Sequence, residues 1–154
     1  MHIKYLKASL STMITIYLGK IFSIDSLFFA TIAAVISSQI SHIDTIIVGK
    51  KRIFGTILGA IIGMLFASLF KNNILIIGLG IYLIIYISDN VIKSSAANVA
   101  CIVFLAIMLN YGDKTPFVYA LNRLIDTSFG IIITITVSMI LSIINKKYNI
   151  FIEE

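Results

Sequence analysis

Residues 50–63 read KKRIFGTILGAIIG and residues 122–130 read NRLIDTSFG. Each contains the pattern R-x-x-x-T-x-x-G: Arg52, Thr56 and Gly59 in the first, Arg123, Thr127 and Gly130 in the second. The arginines stand 71 residues apart (123 − 52), close to half of the 154-residue chain. Asp44–Thr45 precedes the first copy at the distance at which Thr115–Pro116 precedes the second. An arginine repeated near the head of an apolar helix points to a membrane protein built of two repeats. Such repeats place a substrate or ion path at their interface, which makes transport the first expectation.

Composition agrees. Hydrophobic residues are 59% and charged residues 12% of the chain, with a mean hydropathy of +1.05. Soluble domains carry about a quarter charged residues, so this chain has too little polar surface to face water and reads as an integral membrane protein. The excess of 12 Lys and Arg over 7 Asp and Glu does not indicate nucleic acid. The basic residues stand singly or in threes between apolar runs, as topology signals and lipid contacts do. Cys101 is the single cysteine, inside the run AANVACIVFLAIML. It has no disulfide partner in the chain, and with no Cys/His cluster present neither a metal nor a cofactor is expected.

Apolar runs bounded by charge or turn residues fall near 8–24, 27–43, 45–70, 74–88, 94–110 and 116–144. They predict an all-α membrane protein of six transmembrane helices in a single domain over 1–154, with one repeat over about 1–73 and the other over about 74–154. Lys4 and Lys7 precede the first run as in a signal peptide, but no small-x-small cleavage site follows, so a retained first span is expected. Thr115 can cap the last helix with Pro116 at its first position, and Asp44 holds the matching place before the third. Each arginine then lies about 10 Å into its helix.

Placing the N-terminus in the cytoplasm puts Lys4, Lys7, Lys50, Lys51, Arg52, Lys93, Lys146 and Lys147 inside, against Lys20, Lys71, Lys114 and Arg123 outside. The positive-inside rule favours that orientation, with both termini cytoplasmic. Three helices per repeat is an odd number, so the second repeat must be inverted.

Gly55, Gly59, Gly63 and Ala67 recur every four residues and form a flat ridge, suited to close helix packing or to lining a narrow path. Arg52 follows Lys50 and Lys51, so it can be an ordinary orientation signal or an anion-attracting group near a helix-dipole end. Arg123 has no basic neighbour; it either pairs with Asp126 at i+3 or faces an anion. Asp126 can be that partner or a protonatable group. Asp89 and Lys93 stand at i and i+4 and read as a solvated pair. Ser37, Ser38, Gln39 and Ser41 make the end of the second helix polar, and His42 beside Asp44 reads as interfacial. No nucleophile motif, phosphate loop or cofactor fingerprint is visible, so enzyme activity is not expected.

The stretch from SIDSLFFATIAAVISSQ to TIIVGKKRIFGTILGAIIGML resembles the fusaric acid resistance and aromatic acid exporter families of bacterial membrane proteins. NRLIDTSFG resembles their closing R-x-x-D-T-x-x-G signature. The resemblance covers nearly the whole chain; many relatives carry a cytoplasmic domain as well. It implies a six-helix membrane domain in the bacterial cytoplasmic membrane that exports organic, often aromatic, acids. Plant aluminium-activated malate transporters are similar in architecture and imply a homo-oligomer, a dimer first, with a cationic anion path. By motif, the matching positions are Arg52, Gly55, Thr56 and Gly59, then Arg123, Asp126, Thr127 and Gly130. The expected partners are an organic acid anion, the lipid bilayer and further copies of the chain, with no nucleic acid. The competing reading is a non-transporting scaffold or subunit whose glycine ridge docks another protein.

Overall fold

The computed structural model describes residues 2–70, 73–92, 96–110 and 115–148, with side chains for 4–70, 73–90, 96–109 and 115–145. Six α-helices, and no strand among the described residues, follow in order: α1 His2–Ile21, α2 Leu27–Ser37, α3 His42–Leu69, α4 Ile74–Tyr86, α5 Ala97–Asn110 and α6 Pro116–Tyr148. A π-helical turn, Ile87–Ile92, continues α4. Lys71, Lys93 and Lys114, and the side chains of Lys146 and Lys147, lie outside the described residues. So does the partner in the expected Asp89–Lys93 pair.

The helix ends follow from local chemistry. Thr115 accepts the Val118 N–H on its hydroxyl at 3.4 Å, and Pro116 takes the first helical position, where its missing N–H costs nothing. Asn73 accepts from the Leu75 N–H at 3.0 Å and opens α4. At α3 the expected cap shifts: Ser41, not Asp44, accepts the Ile43 N–H at 3.1 Å, and Asp44 lies in the first turn. Arg52 is therefore ten residues past the start of α3 (52 − 42), while Arg123 is seven past the start of α6 (123 − 116). At about 1.5 Å per residue Arg52 sits roughly one turn deeper than the spacing predicted.

The second helix is shorter than its apolar run. It ends at Ser37 instead of reaching 43, because Ser38 turns extended at ψ 113° and returns its hydroxyl to the Ala34 carbonyl at 3.1 Å. Serine hydroxyls compete with the helical ladder in this way. α2 has 11 residues, α4 13 and α5 14. α3 and α6 are long and apolar enough to cross a membrane.

The chain divides into two compact units, one of residues 1–50 with 126–154, the other of 51–125. In the first, α1 packs against α2, with Gly19 facing Leu27 and Lys7 reaching Ile40, so the pair is antiparallel. The later part of α6 runs along the start of α3, with Ser138 at Thr45 and Ile131 at Gly49. Its interior is small and polar: Ala30, Ala33 and Ala34 are fully buried, as are Ser11, Thr15, Ser37 and Thr45.

The second unit is greasy inside. Ile62, Ile84, Ala100, Phe104 and Met108 form its main cluster, and Phe66 meets the Phe104 ring edge-on at 5.8 Å. Gly80 lies against the same ring, where any Cβ would intrude. α3 and α5 run parallel, because Gly55 meets Ala96 and Val99, Gly59 meets the Ala100 carbonyl, and Gly63 meets Ile107.

Much of the outward surface is apolar. α3 exposes Ile43, Ile47, Phe54, Ile57, Ile61, Leu65 and Leu69, while Thr45, Arg52 and Thr56 are buried. Beyond the exposed Lys50 and Lys51, a helix that buries an arginine and shows isoleucine and phenylalanine suits lipid better than water.

Candidate functional site

Arg52 and Thr56 occupy one turn of α3 in the second unit. Arg52 is 6% exposed, and its Nε and Nη1 are buried with no hydrogen-bond acceptor among the described residues. Thr56 is fully buried and donates its hydroxyl proton to the Arg52 carbonyl at 2.9 Å, so that proton is committed to the helix itself. Lys50 and Lys51, which precede Arg52 in sequence, are exposed. The three basic residues thus separate: two face outward and one faces in. Helical periodicity explains it, since positions 52, 55, 56 and 59 share the face that packs on α5.

Arg123 also belongs to the second unit. It is 2% exposed, and its guanidinium lies 4.7 Å from the centroid of the Tyr119 ring, one helical turn earlier. That stacking offers the cation a negative π face inside an apolar setting. Tyr119 was not singled out from the sequence, although its i−4 spacing to Arg123 is visible there.

Asp126 and Thr127 fall in the first unit, and both are buried. Asp126 Oδ1 accepts the backbone N–H of Ser26 at 3.4 Å. Ser26 is the residue that caps α2, and its own side chain makes no capping bond. A carboxylate from α6 therefore stands at the N-terminus of α2, where the helix dipole favours negative charge. Thr134 continues that face of α6, donating to Gly130 O at 2.9 Å and lying 3.3 Å from Ala34 O.

The glycines take up backbone contacts. A Cβ on Gly59 would strike the Ala100 carbonyl, and one on Gly130 would strike the Ala30 carbonyl. Gly55 is as tight, with Ala96 O at 2.7 Å and Val99 Cβ at 2.9 Å from an added Cβ. The ridge of Gly55, Gly59 and Gly63 is thus filled by α5 of the same chain, and Ala67 packs on the core cluster beside it.

One polar group of the first unit escaped the sequence reading. Lys7, counted among the orientation charges, is 2% exposed and donates to the Ile40 carbonyl at 2.6 Å. Ser11 and Thr15 continue its stripe on α1, fully buried. The i, i+4, i+8 spacing of Lys7, Ser11 and Thr15 carries the signal. Among the described residues no group of three or more His, Cys, Asp or Glu is placed to hold a metal.

Neither the curated proteins nor the solved structures contain a match to this sequence. The profile of the fusaric acid resistance protein-like family matches residues 14–137 and takes in α2 to α5, the last part of α1 and the part of α6 that carries Arg123, Asp126 and Gly130. That family is membrane-associated and transport-related. Buried arginines on two long apolar helices fit such a role, and with most of its length matched, the chain belongs to the fusaric acid resistance protein-like family.

Proposed function

We propose that this protein is a bacterial cytoplasmic-membrane transporter or channel for small organic acid anions, aromatic ones first, working in export and as a homodimer. The supporting observation is Arg52. An arginine in the apolar interior is costly unless it meets a partner or a wet path, and this one buries its Nε and Nη1 without an acceptor among the described residues. Arg123, stacked on Tyr119, supplies a second positive charge in the same unit. Together they suit a planar carboxylate carried past an aromatic ring. All six helices then serve as transmembrane elements, with both termini cytoplasmic and the two sequence halves related as inverted three-helix repeats. The matched glycine contacts, Gly59 on Ala100 and Gly130 on Ala30, support the repeat. The protein does no covalent chemistry in this reading.

A scaffold role draws less support, because the ridge that would dock a partner is already packed against α5. Proteoliposomes loaded with radiolabelled benzoate at pH 8, with the leak of protein-free vesicles subtracted, test the proposal. Release should exceed that of benzylammonium of matched size. Equal release of anion and cation sinks the anion reading.

A further inference from the structure

Among the positions at which the two motif copies differ, one exchanges a charge for no side chain. Gly55 in the first corresponds to Asp126 in the second, 71 residues on (126 − 55). Their surroundings correspond too. Asp126 meets Ser26, whose carbonyl accepts the Ala30 N–H at the start of α2. Gly55 meets Ala96, whose carbonyl accepts the Ala100 N–H at the start of α5. One helix N-terminus is therefore served by a built-in carboxylate, and at the equivalent place on the other the chain has no side chain at all.

Arg52 lies three residues before Gly55, on the face of α3 that packs on α5. Because the helices run parallel there and an arginine stem leans toward its own helix N-terminus, its guanidinium is carried toward the end from which α5 starts. Two positive ends thus converge: a helix dipole and a guanidinium whose Nε and Nη1 lack acceptors among the described residues. Like charges in a buried setting require an anion between them.

We infer that the α5 N-terminus and Arg52 form a binding site for a ligand carboxylate, which takes the position Asp126 holds at α2. The ligand class, an organic acid, rests on the transport reading above; the site rests on the Gly55–Asp126 difference. The chain then holds one exchangeable carboxylate at this pair of helix ends, the other being its own.

Benzoate binding to the purified full chain in detergent tests this, with benzamide as the neutral isostere. Benzoate should raise the melting temperature and benzamide should not. Arg52→Gln should weaken benzoate binding by about tenfold or more, the scale of a charge-assisted hydrogen bond, and Arg52→Lys should lose less. Gly55→Asp installs the missing carboxylate and should abolish the benzoate response. Its Cβ crowds Ala96 and Val99, so if that variant fails to fold the Arg52 pair decides. Benzoate affinity unchanged by Arg52→Gln overturns the site. The same preparations, reconstituted for flux, separate the two ideas. Arg52-dependent binding without flux upholds the site and removes transport. Flux with Arg52-independent binding removes the site and leaves transport standing.

Discussion

Gly130 rests on the backbone carbonyl of Ala30, closely enough that a methyl group on Gly130 would occupy the place of that oxygen. Gly59 stands in the same relation to Ala100. Neither clash can be relieved by a rotamer change, since both obstacles are backbone. Gly59→Ala and Gly130→Ala should each destabilise by about 1–3 kcal/mol, the usual cost of overpacking, and leucine should abolish folding. Gly78, with nothing within 4 Å of an added Cβ, is the control. Gly78→Ala should gain up to about 1 kcal/mol from helix propensity. Thermal unfolding in detergent reads all three, and a tolerated Gly130→Leu would show that the α2–α6 contact is not tight.

Asp126→Asn keeps the shape of the residue that meets Ser26 but removes its charge from the α2 terminus. A loss of about 1 kcal/mol is expected from the helix dipole. The melting temperature of this variant should fall below that of wild type across neutral pH. An unchanged value would mean that the carboxylate contributes no charge there.

Arg123→Gln should cut benzoate flux sharply while the protein still inserts. Arg123→Lys should recover part of it, because lysine keeps the charge but lacks the planar guanidinium that stacks on Tyr119. Flux through the Gln variant at wild-type rates would place Arg123 outside the path.

The α1 stripe gives opposite expectations for neighbouring residues. Lys7→Met leaves the Ile40 carbonyl without its donor and should cost about 1–3 kcal/mol. Ser11 and Ser37 bury hydroxyls with no partner among the described residues, so Ser11→Ala and Ser37→Ala should be neutral or stabilising. Marked destabilisation by either alanine would reveal a molecule held on those hydroxyls.

Orientation can be read by labelling single cysteines in a Cys101→Ala background. A cysteine at Lys20 should react with an impermeant reagent in intact cells, and one at Lys4 only after permeabilisation. The reverse pattern would invert the proposed topology.

How much of this was legible beforehand depended on the kind of signal. Thr115 and Pro116 announce α6 by chemistry that acts within four residues, and the cap forms as expected. The run from 27 to 43 misled, because hydropathy reports burial and not backbone direction, and the hydroxyls of Ser38 and Ser41 end one helix and start another inside it. The burial of Lys7 was not legible for a related reason: it depends on Ile40, 33 residues away, being folded onto it. The contrast between Gly55 and Asp126 was present in the motif alignment, yet its meaning lay in what each one touches. Long-range partners such as Ser26, 100 residues from Asp126, leave no periodic trace.

The discontinuous make-up of the first unit bears on how the chain matures. Its interior contacts join Ser26 to Asp126, Ala34 to Thr134 and Thr45 to Ser138, separations of 100, 100 and 93 residues. Eleven residues of α2 reach only about 16 Å, too little to settle across hydrocarbon unaided. Lys7, Ser11 and Thr15 are equally unsuited to bare lipid. α1 and α2 can pair early, but the first fifty residues complete their packing only when the last helix is made. Assembly of this unit is then a late event, paced by synthesis of residues 126–145 and not by the helices that were made first.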